Sequence, residues 1–290
     1  MTLPLLAGIG EIAGDYDGFI LDLWGVLHDG TAPFPGVLDA LGRLRAAGKR
    51  IAILSNAPRR AAAVVERITE IGIAPEFYDH LHSSGEETWQ HLAKRDDPFY
   101  RALGRRCWVI GPSRDDAMLT GLELTRVSTV EGADFILNIG PWFWRETVDD
   151  FEPVLQSARR RDVPMVCANP DLVVIHQGRR SICAGAIAQR YECLGGRVRQ
   201  HGKPLPSVYE TCFGLLGIAD RRRILAVGDS LRTDIAGANG VGIDALLVAD
   251  GIHGDEFGVA RGELPDPTQL NAAVAASGYR PVAAVPRFRW

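Results

Sequence analysis

The sequence lacks the features that mark disulfide-rich, zinc-binding and membrane-spanning proteins. Its 5 cysteines are odd in number and form no Cys-x-x-Cys pair, so neither a disulfide framework nor a zinc motif is indicated. No apolar run approaches the roughly 18 residues that span a bilayer, and the first ten residues carry no positive region of a signal peptide. We therefore expect a cytoplasmic protein with reduced, buried thiols at Cys107, Cys167, Cys183, Cys193 and Cys212.

The sequence also lacks an excess of positive charge. Lysine and arginine total 32 against 36 aspartate and glutamate residues, which gives a formal net charge of -4. This balance argues against nucleic acid, and against an anionic membrane, as the main partner.

What the sequence does contain is a composition that suits one large or two smaller globular domains. Of its 290 residues, 46% are hydrophobic and 23% charged. Strand-like apolar runs alternate with helix-like segments, which is typical of a parallel sheet covered by helices on both faces. The predicted strands are Phe19–Leu23, Arg50–Leu54, Arg106–Ile110, Asp134–Ile139, Val163–Cys167, Val173–His176, Ile224–Val227 and Ala245–Val248. The predicted helices are Leu38–Ala47, Pro58–Ile71, Thr147–Arg160, Ala184–Leu194, Ser207–Leu216, Thr233–Asn239 and Pro267–Ala276. The closing segment Tyr279–Trp290 is expected to be an irregular tail that either packs back or frays.

The segment from Phe19 to Gly30 is the most informative part of the chain. An apolar run ends there in Asp22, and Gly25 follows three residues later. A carboxylate at the end of a buried strand can attack phosphorus or carbon, can hold a divalent metal, or can simply cap a turn. Gly25 permits a sharp turn that brings backbone amides toward a bound anion.

Three further clusters follow predicted strands or precede helices. Ser55 and Asn56 can donate to phosphate oxygens or cap the next helix. Lys203, between a glycine and a proline, can offer a point charge to a phosphoryl oxygen or can be a solvated surface lysine. Asp229 and Asp234 suit Mg²⁺, although Asp234 can also be a helix cap. Ligands of open parallel sheets bind where strands end, so we expect these clusters to meet at one edge.

Together and in this order, these residues resemble the four motifs of the haloacid dehalogenase superfamily of hydrolases. Asp22 matches the nucleophile of the first motif, Ser55 the hydroxyl of the second and Lys203 the lysine of the third. Asp229 and Asp234 match the acidic motif that binds Mg²⁺.

The resemblance also implies the architecture. A Rossmann-like, doubly wound parallel-sheet core is expected at residues 1–82 and 197–290, with an inserted α/β cap at 83–196. The cap resembles that of the subgroup with nucleotide, sugar-phosphate, phosphoglycolate and pyridoxal phosphate phosphatases. A small phosphorylated metabolite, either a sugar phosphate or a nucleotide, is therefore the expected substrate.

The resemblance implies a mechanism in which Asp22 attacks phosphorus and forms an aspartyl-phosphate. Ser55, Lys203 and backbone amides near Gly25 would neutralise the phosphoryl oxygens, with Asn56 beside them. The implied ligands of Mg²⁺ are Asp22, Asp229, Asp234 and the backbone carbonyl of Trp24.

Trp24 is the departure from the family pattern. Phosphatases of this superfamily carry an Asp there, two residues after the nucleophile, as general acid and base, which is typically worth about 10²–10⁴-fold in rate. An indole only donates a hydrogen bond and does not titrate. His28 or His176 is a candidate replacement, and the alternative for each is a structural, hydrogen-bonded histidine.

The predicted cap offers candidates for substrate selection. Arg179 and Arg180 can pair with a second anionic group, or can flank a solvated turn at Gln177 and Gly178. The aromatic run at 141–144 can form a cap interface or a dimer surface, or it can pack in the core. A dimer surface there would give a homodimer through the cap. The candidates that we expect to face the substrate are Asn169, Asp171, His176, Arg179 and Arg180.

Three functions follow from these residues. The first is a Mg²⁺-dependent phosphatase that is slow, or restricted to good leaving groups, because of Trp24. The second is a phospho-ligand-binding protein without turnover. The third is a dehalogenase-like carbon hydrolase, which the inserted cap and the acidic motif disfavour.

Overall fold

The chain folds as two units that interrupt one another in sequence. The computed structural model describes residues 2–112, 117–176, 178–259 and 264–290. The first unit comprises residues 1–55, 65–82 and 203–290, and the second comprises 56–64 and 83–202. The strands are β1 (Gly18–Leu21), β2 (Arg50–Ser55), β3 (His80–Ser83), β4 (Arg106–Ile110), β5 (Thr125–Val127), β6 (Phe135–Asn138), β7 (Met165–Cys167), β8 (Val173–His176), β9 (Arg179–Ile182), β10 (Val198–Gln200), β11 (Ile224–Gly228), β12 (Asp244–Val248) and β13 (Ala283–Val285). The helices are α1 (Val37–Ala46), α2 (Ala61–Glu70), α3 (Ser84–Lys94), α4 (Pro98–Ala102), α5 (Glu152–Arg160), α6 (Ala184–Cys193), α7 (Pro206–Leu216), α8 (Ala236–Gly240) and α9 (Pro267–Ser277).

The first unit is built on a six-stranded sheet in the order β13-β12-β11-β1-β2-β3. The central strands β1, β2 and β11 pair in parallel, and every residue of β1 is buried. Continuous burial requires apolar side chains on both faces, which is why Phe19–Leu21, Ile51–Leu54 and Ile224–Val227 are apolar runs. The predicted doubly wound α/β sheet is therefore confirmed.

The second unit has its own five-stranded parallel sheet, in the order β10-β7-β6-β4-β5, and an antiparallel pair, β8-β9. Successive side chains of β4 point to opposite faces of this sheet. Cys107 and Val109 therefore join one apolar cluster, and Trp108 and Ile110 join another. None of the described helices has both the length and the apolar character that crossing a membrane requires.

Several predicted elements differ in their bounds or type. The predicted helix at Thr147–Arg160 is a 3₁₀ turn, Val148–Phe151, followed by α5. The predicted helix at Thr233–Asn239 begins earlier, as a π-helical turn over Leu231–Ile235 that leads into α8.

The predicted irregular tail packs back, since Phe288 is buried, but it contains a strand that was not predicted. Residues 283–285 form the edge strand β13, which pairs in parallel with β12 and is buried. The four residues between Pro281 and Pro286, two valines and two alanines, give too weak an apolar signal for a strand, and the strand forms by pairing with β12. The expectation of buried thiols holds for four cysteines, whereas Cys193 is exposed.

Candidate active site

The predicted nucleophile lies at the end of the central strand of the first unit. Asp22 follows β1 directly, and its backbone N–H donates to the carbonyl of Val227 in β11 (2.8 Å). Leu21 is aligned with Ile53 of β2 and with Val227, so Ser55 and Asp229 end the two neighbouring strands close to the same level. The sheet register thus brings the three motifs to one edge.

Lys203 links the carboxylates of this edge. Its ammonium donates to Asp22 Oδ1 in a short contact and to Asp234 Oδ1 at 2.7 Å. All three side chains are buried. Lys203 is therefore not a solvated surface lysine, and the sequence alternative for it is excluded.

Backbone amides hold the acidic residues in place. The N–H of Ile252 donates to Asp229 Oδ2 (2.8 Å), and the N–H of Ser230 donates to Asp234 Oδ2 (3.1 Å). The Tyr209 hydroxyl donates to the backbone carbonyl of Asp234 (3.1 Å). Sequence reasoning missed Tyr209 and Ile252, because nothing in their local pattern indicates contact with the acidic motif.

Glycines make room for the carboxylates. Gly25 has φ +86°, and a Cβ there would lie 2.2 Å from Asp229 Oδ2. A Cβ on Gly228 would lie 2.1 Å from Asp234 Cγ. Both distances are far below van der Waals contact, so these positions require glycine.

The carboxyl groups of this site form a buried, acidic cluster. Oxygen atoms of Asp22, Asp229 and Asp234 lie within 4.8 Å of one another. Burial raises the pKa of Asp22 to about 7, against the opposing effect of Lys203, and raises the pKa of Asp229 well above its usual range. The raised pKa values reflect the cost of holding three negative charges beside one ammonium, and carboxylate oxygens placed in this way suit a hard divalent cation that would offset that cost.

Trp24 packs against the turn that follows β1. Its ring meets that of His28 edge-to-face, with centroids 5.4 Å apart, and lies so close to Gly30 that a Cβ there would be 2.4 Å from Cη2. His28 Nδ1 accepts from the Gly30 N–H (2.8 Å), and Nε2 is buried without a hydrogen bond among the described residues. Burial lowers the pKa of His28 to about 4, so this histidine is neutral near pH 7.

Within the second unit, three of the predicted substrate-binding residues meet. Asn56 Nδ2 donates to Asp171 Oδ1 (2.9 Å), and the Asp171 N–H donates to Asn169 Oδ1 (2.8 Å). This chain of hydrogen bonds joins residues 115 positions apart in sequence. The Asn56–Asp171 pair was not predicted, because nothing in the sequence indicates that these two distant segments lie close together in the fold.

The remaining candidates lie on the β8-β9 pair. His176 stacks on Trp144 with ring centroids 4.3 Å apart, and it is paired in register with Arg179. Arg179 and Arg180 are exposed, whereas Gln177, at the predicted turn, lies outside the described residues. The aromatic run divides: Trp142 stacks on Phe151 in the core, and Phe143 and Trp144 are 62% and 42% exposed.

Comparison with known proteins gives consistent matches. A family model described as haloacid dehalogenase-like hydrolase matches residues 19–125, and a second, HAD-hydrolase-like model matches residues 200–276. A solved structure of a haloacid dehalogenase-like hydrolase from Brucella suis 1330 is 32% identical, with a TM-score of 0.82, over 98% of this chain and 99% of that one.

Two further matches, one to a protein sequence and one to a solved structure, are phosphatases by name. The D-glycerol 3-phosphate phosphatase of Mycobacterium tuberculosis is 26% identical over 84% of this chain, and the match spans 65% of that protein, just under two thirds of its length. A glycerol phosphate phosphatase structure from Mycobacterium tuberculosis in complex with magnesium is 24% identical, with a TM-score of 0.63, over 87% of this chain and 71% of that one. At that identity the second match shows a shared fold alone.

Proposed function

The chain belongs to the haloacid dehalogenase-like hydrolase family, and on this premise we propose that it is a divalent-cation-dependent phosphatase of small phosphorylated molecules. The observation that carries the proposal is the contact of Lys203 with both Asp22 and Asp234 in a buried carboxylate cluster. A nucleophile, a cationic partner for phosphoryl oxygens and an acidic cation site are thereby close together. The similarity to D-glycerol 3-phosphate phosphatase favours a small phosphate ester as the substrate.

In the proposed reaction, a carboxylate oxygen of Asp22 attacks phosphorus, the bond to the leaving oxygen breaks, and an aspartyl-phosphate forms. The Lys203 ammonium neutralises negative charge on the transferred group, with Ser55 and the backbone near Gly25 as further donors. Water then attacks the phosphorus of this intermediate and releases phosphate and free Asp22.

The residues present fit Mg²⁺. Asp22, Asp229 and Asp234, with the backbone carbonyl of residue 24, would hold the ion, because closely spaced buried carboxylates need a compensating positive charge. When bound, the cation supplies charge neutralisation for the phosphoryl oxygens.

The side chain at position 24 should limit both half-reactions. Trp24 cannot protonate the leaving oxygen or deprotonate water, and His28 is a poor substitute because it is neutral, buried and already accepts from Gly30. An aryl phosphate needs no acid for its departure, but the second step still needs a base. We therefore expect a burst of about one equivalent of p-nitrophenol per chain, followed by slow turnover.

The decisive experiment measures this burst and phosphate release from p-nitrophenyl phosphate and alkyl phosphates, with Mg²⁺ and with EDTA. Asp22→Asn should abolish both phases, while Asp39→Asn, at an exposed helix position, serves as the matched control. Trp24→Asp should raise steady-state turnover by up to about 10²–10⁴-fold. A burst that survives Asp22→Asn would disprove the assignment of the nucleophile.

A phospho-ligand-binding protein without turnover is the second candidate, and Trp24 is the observation that favours it. This candidate predicts saturable binding of a phosphate ester with neither a burst nor any gain from Trp24→Asp. Chloride release from 2-haloacids without metal would instead indicate the dehalogenase-like function.

We further propose that the second unit, expected from sequence as a cap at 83–196, selects the substrate through Asn169, Asp171, His176 and Arg179. Arg179 is exposed and free to meet a second anionic group, so Arg179→Gln should raise KM for doubly anionic substrates and leave kcat unchanged. A change in kcat alone would contradict this role. A cytoplasmic location and a homodimer through the second unit stay predictions.

A further inference from the structure

A second cluster of metal-ligating side chains lies within the second unit, and the proposed phosphatase reaction does not use it. Glu87 and His91 are four residues apart on α3, so they share one face of the helix. His201 follows β10, and its backbone N–H donates to the carbonyl of Cys167 (3.0 Å), which continues the strand pairing. One ligand atom from each of the three side chains lies within 4.8 Å of the others.

Two imidazole nitrogens of this cluster lack hydrogen bonds. Nδ1 of His91 and Nδ1 of His201 are buried and have no hydrogen-bond partner among the described residues. His201 Nδ1 lies 3.0 Å from Glu87 Oε2, yet this contact does not have the alignment of a hydrogen bond. Buried polar atoms are normally satisfied, so these two nitrogens point to a ligand that neither of them finds in the protein.

The other nitrogen of His201 is held by the protein. Nε2 makes a short contact with the hydroxyl of Tyr100, which is buried. A metal-binding histidine almost always has its second nitrogen fixed by a polar group in this way, which orients the ring and sets the tautomer. With the proton on Nε2, the lone pair of Nδ1 is free for a cation.

We propose that Glu87, His91 and His201 bind one Zn²⁺ ion. Two imidazoles and one carboxylate form a ligand set that zinc takes readily, usually with water in a fourth position. Mg²⁺ prefers oxygen ligands, so the two cation sites of the chain differ in the metal that they select. Glu87 and His201 are only 5% and 4% exposed, so the ion would be enclosed by protein.

The ion would join α3 to the segment that leads into Lys203. His201 lies two residues before Lys203, and the N–H of the intervening Gly202 donates to Glu87 Oε2 (3.2 Å). Zinc at this site would therefore stabilise the second unit and fix the chain immediately before the proposed catalytic lysine.

The test is zinc content and Co²⁺ spectroscopy on the full chain. Protein purified with Zn²⁺ and then gel-filtered should retain about one zinc per chain, and metal-stripped protein should develop Co²⁺ absorption in the visible range on titration. Tyr100→Phe removes the group that holds the second nitrogen of His201, and it should weaken Co²⁺ binding by about 10–100-fold. His91→Ala removes a proposed metal ligand itself, and it should weaken Co²⁺ binding by more than that. His80→Ala, a half-buried histidine outside the cluster, and Asp229→Asn, in the carboxylate site, should retain full uptake.

Glu87→Gln removes the carboxylate but keeps the shape of the side chain, so it tests the ligand with little risk of misfolding. Circular dichroism should show that each variant is folded. Folded wild-type protein that retains no zinc and gives no Co²⁺ spectrum would overturn the proposal. Zinc that disappears in Asp229→Asn but persists in His91→Ala would overturn it as well, because the ion would then belong to the carboxylate site. Neither result depends on phosphatase activity.

Discussion

Replacing Lys203 by methionine should destabilise the metal-free protein by several kcal/mol. The ammonium contacts Asp22 and lies 2.7 Å from Asp234 Oδ1, and all three side chains are buried. Removing one member of a buried, hydrogen-bonded charge network leaves the remaining charges uncompensated, which typically costs about 3–5 kcal/mol. Methionine has a similar length and adds no polar group, so the cavity cost is small.

The assay is urea unfolding of wild-type and Lys203→Met protein in EDTA at pH 7.5, repeated with saturating Mg²⁺ and at pH 5. We expect the loss of about 3–5 kcal/mol in EDTA to shrink with Mg²⁺, because the cation replaces the missing positive charge. It should also shrink at pH 5, where Asp22, with its pKa raised to about 7, takes up a proton. Lys94→Met, at an exposed position of α3, should change stability by less than about 0.5 kcal/mol. A loss below about 1 kcal/mol for Lys203→Met, or one that is equal under all conditions, would refute the reasoning.

The remaining predictions concern the same unit. Gly25→Ala should abolish Mg²⁺ binding in calorimetry, because its Cβ would collide with Asp229. The control Gly48→Ala has φ +70° and open space around its Cβ, so it should lose only the roughly 1–3 kcal/mol of stability that backbone strain costs. The pKa of Asp22 is raised to about 7, so in EDTA the contribution of its protonation to stability is complete below about pH 4 and is lost as the pH rises to 7. The free energy of unfolding of wild type, relative to that of Asp22→Asn, should therefore fall by up to roughly 4 kcal/mol over this range. His28 has a pKa lowered to about 4, so the difference between wild type and His28→Asn should have the opposite slope, with stability lost as the pH falls from about 6.5 to 4. Equal slopes for the two variants in urea titrations would contradict both assignments.

The central sheet and the carboxylate cluster were predictable because their signals are local. A buried parallel strand must be apolar throughout, so Phe19–Leu21 and Ile224–Val227 are visible in sequence, and the sheet rule then places the residues that follow them at one edge. The cluster of Glu87, His91 and His201 was not predicted, since it joins segments more than 100 residues apart through packing. The edge strand β13 was missed for a related reason, because its pairing with β12 outweighs a weak local preference.

The position of Trp24 explains how a tryptophan in place of the aspartate of the family pattern can leave the other motifs intact. Asp22 is fixed by the backbone bond to Val227 and by Lys203, and the acidic residues are fixed by their own loop amides. The Trp24 ring instead contacts His28 and lies close to Gly30, both in the turn segment after β1. The contacts described for the proposed nucleophile and those described for the Trp24 ring therefore involve different residues. Under the proposed function, a substitution at position 24 would change the supply of protons and leave the contacts of Lys203 with Asp22 and Asp234 in place.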